Sequence, residues 1–218
     1  TVGACTSALP SLTINAGVGD DIVNMNGNIT FAANANLDLD LQNDDASPGR
    51  DVVNIGTNAN VVLVGTGSAT IKVSQNVFVN AGGGLTTANG NLLVEANQQG
   101  TPTSGNFAGV RLNGLNAMFR VTGSGLLTVK GKGGNTGNDT EGIYLMSGGK
   151  ILGGTNTVTL EGIGGPTSGF RSYGVLSGTP SEMSSTGGNI VINGTGDGTG
   201  VNSFGIGLGY NGVYAGGT

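Results

Sequence analysis

The sequence predicts an all-β chain, folded as a right-handed parallel β-helix (a β-solenoid) with about three strands per coil, ~31–33 residues per coil and 6–7 coils. Three observations predict it. Glycine-centred motifs recur in step along the chain; apolar residues gather into short alternating β-branched runs; and Gly- or Asn-rich turns separate those runs.

The repeat is clearest after residue 90. A glycine followed by alternating apolar residues appears as GVRL at Gly109, GIYL at Gly142, GVLS at Gly174 and GIGL at Gly205, with spacings of 33, 32 and 31. A second motif, apolar-x-apolar running into glycine, appears as LTVKGKGG from Leu127, VTLEGIGG from Val158 and IVINGTGDG from Ile190. Its central residues, Val129, Leu160 and Ile192, are expected to stack directly on one another. A third marker, Met118, Ile151 and Met183, follows each starting glycine by nine residues.

Taken in order, residues 1–20 are expected as an N-terminal lead-in segment and residues 21–218 as one solenoid domain. DIVNM from Asp21 returns as DVVNI from Asp51; ITF at Ile29–Phe31 returns as VVL at Val61–Leu63; LDLDL at Leu37–Leu41 returns as ATIKV at Ala69–Val73. The next coil holds VFVN from Val77 and LLVEA at Leu92–Ala96. Alternation in runs this short turns one face inward, and a single coil cannot bury that face alone. Stacked coils bury it and pair each strand with its equivalents above and below. Parallel crossovers are overwhelmingly right-handed, which sets the expected hand. The 45 glycines, about a fifth of the chain, fit tight corners, since Gly and Asn tolerate positive φ at least cost. Asn15, Asn80, Asn113 and Asn193 are expected to form side-chain amide ladders. An antiparallel β-sandwich would also give many short strands, but its strands need not resemble each other. The GVYAGGT ending stops partway through a coil, so the solenoid is expected to continue or to stack with neighbouring copies.

Composition narrows the chemistry. With no histidine, Ser-His-Asp triads, Cys-His pairs and His-based zinc sites are excluded. The single Cys5 has no partner for an internal disulfide. The net charge is −5, and residues 1–51 alone carry seven acids against Arg50, so no basic stripe for nucleic acid is present. No apolar run approaches the ~20 residues that span a bilayer. Acids in the later coils (Glu95, Asp139, Glu141, Glu161, Glu182, Asp197) are sparse, with Glu95, Lys130 and Glu161 expected to alternate in sign up one edge. The segments GNTGNDTE, GPTSGFRSY and GTGVNSF precede successive starting glycines and are expected to form one loop face along the rod.

Calcium is the best candidate for bound metal. AGVGDDIVNM at Ala16–Met25 is close to one nonapeptide of a calcium-binding β-roll, and Asp38, Asp40, Asp44 and Asp45 add hard oxygens. The candidate ligands are Asp20, Asp21, Asp38 and Asp40. The β-roll motif does not repeat in tandem, and these acids equally serve as a solvated edge that discourages aggregation.

The pattern apolar-x-apolar-x-Gly-x-Gly-Gly, then a Thr/Gly/Asn-rich loop, then Gly-Ile/Val-x-Leu, resembles bacterial surface β-solenoid repeat proteins. These include filamentous-haemagglutinin-like adhesins, autotransporter passenger domains and giant β-strand-repeat surface proteins. The resemblance implies a secreted, elongated structural or adhesive module of a cell-surface, filament or surface-layer protein, outside the cell and not an enzyme. Its implied partners are neighbouring copies or flanking repeats and cell-surface glycans or proteins, with no membrane insertion. It brings no catalytic residues. The alternative is a carbohydrate-active β-helix enzyme, a polysaccharide lyase or hydrolase, which needs carboxylates converging on one face.

Overall fold

The structure, a computed structural model, describes residues 8–42, 49–209 and 212–214, with 212–214 described by backbone alone. It is a parallel β-solenoid of about six turns with no helix among the described residues, and each coil contributes one strand to each of three sheets.

Sheet 1 stacks β1 (Leu12–Asn15), β4 (Leu37–Leu41), β7 (Ala69–Val73), β10 (Leu92–Ala96), β13 (Leu127–Lys132), β16 (Val158–Ile163) and β19 (Ile190–Thr195). Sheet 2 stacks β2 (Ile22–Met25), β5 (Val52–Ile55), β8 (Asn76–Asn80), β11 (Val110–Asn113), β14 (Ile143–Met146), β17 (Val175–Ser177) and β20 (Ile206–Leu208). Sheet 3 stacks β3 (Ile29–Thr30), β6 (Asn60–Leu63), β9 (Gly84–Thr87), β12 (Met118–Val121), β15 (Lys150–Gly153), β18 (Glu182–Ser185) and β21 (Gly212–Tyr214). Strand β1 falls inside the stretch expected as a lead-in segment and forms the first rung of sheet 1.

Alternation makes the core. In sheet 1 the column Ile14–Leu39–Ile71–Val94–Val129–Leu160–Ile192 runs the length of the molecule in unbroken register. The expected stacking of Val129, Leu160 and Ile192 is therefore present. Sheet 2 adds Val77, Val110, Ile143 and Val175, and sheet 3 adds Val61, Leu85, Phe119, Ile151 and Met183, all fully enclosed. Each such side chain contributes roughly 1.5–3 kcal/mol of burial.

Coil length is less uniform than the late repeat implies. Only 23 residues separate Ala69 from Leu92, whereas 35 separate Leu92 from Leu127. The corner from sheet 1 to sheet 2 absorbs the difference: just Ser74 and Gln75 join β7 to β8, while residues 97–109 join β10 to β11. Met118 needs a related correction. It pairs with Lys150, and Phe119 takes the core position over Ile151 and Met183, because the corner before β12 holds one residue more than the corner before β15.

Glycines of the two motifs face each other across the corner from sheet 1 to sheet 2. A Cβ on Gly131 would lie 2.0 Å from the Gly142 carbonyl oxygen, and one on Gly162 would lie 2.0 Å from that of Gly174. The two backbones touch, so no side chain fits. Asparagines act mainly at corners. The side-chain oxygens of Asn34, Asn36, Asn91 and Asn138 accept the N–H groups of Thr66, Ser68, Leu126 and Phe170 one coil on, at 2.7–2.9 Å. The four asparagines expected as ladders are split: Asn80 pairs with Asn113 in sheet 2, while Asn15 and Asn193 lie opposite Asp40 and Glu161 in sheet 1. No helix among the described residues is long and apolar enough to cross a membrane.

Candidate functional site

The three outward faces carry different chemistry. On sheet 1 the outward column Asp40–Lys72–Glu95–Lys130–Glu161 alternates in sign. Lys130 Nζ lies 3.4 Å from Glu95 and 3.6 Å from Glu161, so the expected ladder exists and extends by two rungs. Opposite charges directly across a sheet stabilise modestly, and like charges there destabilise.

The calcium candidates are distributed along the first coils. Asp38 and Asp40 sit on β4, with Asp40 stacked against Lys72. Asp20 and Asp21 occupy the corner before β2. The Asp20 carboxylate accepts the Arg50 N–H at 2.9 Å, and the Asp21 N–H is held at 2.8 Å by the buried Asp51 carboxylate. Asp51 also accepts the Ser74 hydroxyl at 2.7 Å, making a sealed polar joint between coils. Among the described residues no three acidic or thiol side chains come together to hold a metal. Asp44, Asp45 and Cys5 lie outside the described residues.

Sheet 2 is different. Its outward column runs Asn54–Phe78–Arg111–Tyr144–Leu176–Gly207. The Arg111 guanidinium carbon lies 5.3 Å from the centroid of the Phe78 ring below and 5.6 Å from that of Tyr144 above. Cations held over aromatic faces at this range are attracted by the ring quadrupole. Among the described residues Arg111 makes no ion pair, and its buried Nε has no hydrogen-bond partner. Its one side-chain contact of hydrogen-bond length is to the Met146 sulfur at 3.0 Å, a weak acceptor.

The loops of the expected loop face lie beside this column. Register places Asp139 against Arg171 and Asn202, and Glu141 against Tyr173, one coil apart. All three residues of the first set have positive φ, which lets each loop double back towards the sheet. Arg171 bonds Asp139 Oδ1 through Nε at 2.6 Å, and its guanidinium carbon stands 5.9 Å from the centroid of the Tyr144 ring. Tyr173 packs against Phe204 with centroids 5.6 Å apart, tilted at 47°. Its ring lies across the backbone of Gly207, where an added Cβ would meet it at 2.6 Å. Together Tyr144, Arg171, Tyr173, Leu176, Thr179 and Leu208 line an open groove of about 460 Å³.

Glu141 lies under this groove with no exposed surface. Neither carboxylate oxygen completes a hydrogen bond of good geometry, and the nearest cation is Arg171 Nε at 4.0 Å. Burial pushes its pKa up to about 7. The residue's own backbone N–H opposes the rise, Asp139 adds to it, and Arg171 and then Arg111 lower it. Burial likewise raises the Tyr144 phenol above its usual range.

Sequence reasoning placed Asp139 and Glu141 in GNTGNDTE, and Arg171 and Tyr173 in GPTSGFRSY, two segments of the expected loop face, but gave these side chains no binding role, and it missed Arg111 and Tyr144. A signal was available: the third residue of GVRL, GIYL, GVLS and GIGL is Arg111, Tyr144, Leu176 and Gly207, the outward column itself. No protein-family model, curated protein or solved structure matches the chain.

Proposed function

We propose that this chain is an extracellular structural and adhesive module of a large bacterial cell-surface, filament or surface-layer protein. The rod supplies stiffness, and the outward face of sheet 2 makes the contacts. The observation that carries this reading is the composition of that face. Outward strand positions need only be soluble, as the threonines and alternating charges of sheet 1 are. On sheet 2 they are Phe78, Arg111, Tyr144 and Leu176, beside an open groove walled by Tyr173 and Arg171. Aromatic and arginine side chains dominate binding hot spots.

The test is adhesion. Labelled protein is expected to bind bacterial or host cell surfaces in a saturable way, and Tyr173→Ala is expected to reduce that binding while Lys130→Ala leaves it intact. Absence of saturable binding to any surface ends the adhesive reading.

The enzymatic alternative has one observation in its favour, the Glu141 carboxyl with its raised pKa two residues from Asp139. Because Glu141 is sealed from solvent, the adhesive reading gives it no contact with a ligand. Release of reducing ends from an acidic polysaccharide, abolished by Glu141→Gln, would establish the enzymatic reading instead.

A further inference from the structure

The groove beside Tyr144 has a chemistry that selects its ligand, and this inference deepens the adhesive reading above. We propose that it binds a saccharide bearing a carboxylate, with a pyranose face stacked on Tyr173 and the carboxylate received by the guanidinium of Arg111, one strand below Tyr144.

The argument begins with charge. The chain is acidic overall, yet two of its four arginines flank one tyrosine ring on this face. Asp139 answers Arg171, Glu141 is enclosed below, and Arg111 makes no ion pair among the described residues. Stacking between Phe78 and Tyr144 holds the Arg111 guanidinium in place without neutralising it. A planar guanidinium matches a carboxylate in two-point fashion and stays charged at any physiological pH. The face is therefore short of one anion.

Shape and polarity narrow the class. The groove is open and shallow, with Leu176 at its floor and Tyr173, laid across the backbone of Gly207 and braced by Phe204, as its wall. Flat aromatic surface next to hydroxyls at Tyr144 and Thr179 fits a ring with one apolar face and hydroxyls at its edge. A nucleic acid needs many cations to answer its phosphates, and the net charge of −5 opposes it. An added peptide strand needs a sheet edge. Here the central strands of sheet 2, β11, β14 and β17, are paired on both sides.

Calorimetric titration of the full chain with a glucuronic acid trisaccharide, and separately with cellotriose, tests the idea. The acidic trisaccharide is expected to bind at least about tenfold more tightly, which is the worth of a charged hydrogen-bonded pair. Tyr173→Ala is expected to weaken it about tenfold, and Arg111→Gln to weaken it with the melting temperature retained. Backbone amide shifts are expected to map to Tyr144, Tyr173, Leu176 and Gly207. Equal binding of cellotriose, equal competition by acetate, shifts confined to another face, or no heat with either sugar at millimolar concentration overturns the proposal. Saturable adhesion to cells that the acidic trisaccharide fails to compete would overturn this assignment and leave the adhesive reading standing. Binding of the trisaccharide without cell adhesion would do the reverse.

Discussion

Glu141 shows what one side chain contributes when its neighbours enclose it. Burial raises its pKa to about 7, so the folded state holds this proton more tightly than the unfolded chain, whose ordinary carboxyl value is 4.5. A group shifted upward lends stability that is complete below its unfolded pKa and lost as pH rises through its folded one. The window is therefore pH 4.5 to 7, and the full loss is on the order of 3 kcal/mol at ~1.4 kcal/mol per pKa unit. Glu141→Gln keeps the shape and removes the titration. The stability of the variant relative to the parent is expected to climb across that window, measured by urea unfolding at a series of pH values. A constant difference would mean that Glu141 finds a partner or solvent that the static geometry does not show. In the sequence Glu141 was visible as a sparse acid and as the last residue of the loop-face segment GNTGNDTE, with nothing to mark it as enclosed. What seals it is the loop carrying Arg171 and Tyr173 one coil later, and nothing local to Glu141 announces that.

At the scale of elements, stacking in register turns each strand position into a column, and columns can be tested one at a time. The sheet 1 ladder places Lys130 between Glu95 and Glu161, with the three side chains roughly a fifth to a half exposed. Lys130→Glu sets three like charges in succession. Destabilisation of about 1–2 kcal/mol is expected, after allowing for screening at this exposure, and molar salt is expected to restore part of it. Salt-independent destabilisation would instead mean that the lysine stem, and not its charge, is what matters. This ladder was legible because Glu95, Lys130 and Glu161 each follow the third strand position of a recognisable motif. Legibility failed where corners changed length. One additional residue before β12 moved Met118 out of the core and put Phe119 in, and a periodic count has no means of seeing such an insertion. The sheet 2 column was hidden for another reason. Arginine, tyrosine and leucine share no property that a pattern of apolar residues detects, although they share a direction.

At the scale of the whole molecule, burial varies along the rod. Leu160 is fully enclosed between Val129 and Ile192, while Ile192 in the last rung of sheet 1 is only half-buried. Leu160→Ala is expected to cost about 2–5 kcal/mol and Ile192→Ala about half as much or less, read from denaturant midpoints. Equal costs would indicate that another surface covers the terminal rung in solution. The calcium reading belongs to this scale too, since it would tie the first coils together. Asp20 and Asp51 already spend carboxylate oxygens on backbone N–H groups, and Asp40 stacks against Lys72. An unchanged melting temperature in millimolar calcium and in chelator is expected where those oxygens stay engaged, and a rise of several degrees with calcium would establish a site.

The seam where Gly131 meets Gly142 and Gly162 meets Gly174 leaves room for backbone alone. Variation at those points is closed, and so is variation inside the core. The outward strand positions of sheet 1, by contrast, are at most half-buried and constrain little beyond their own column. A bar built this way can be repainted on one side without disturbing the other two. The ladder of alternating charge, the aromatic groove and the remaining face can then each diverge at its own pace while the shaft beneath them stays the same.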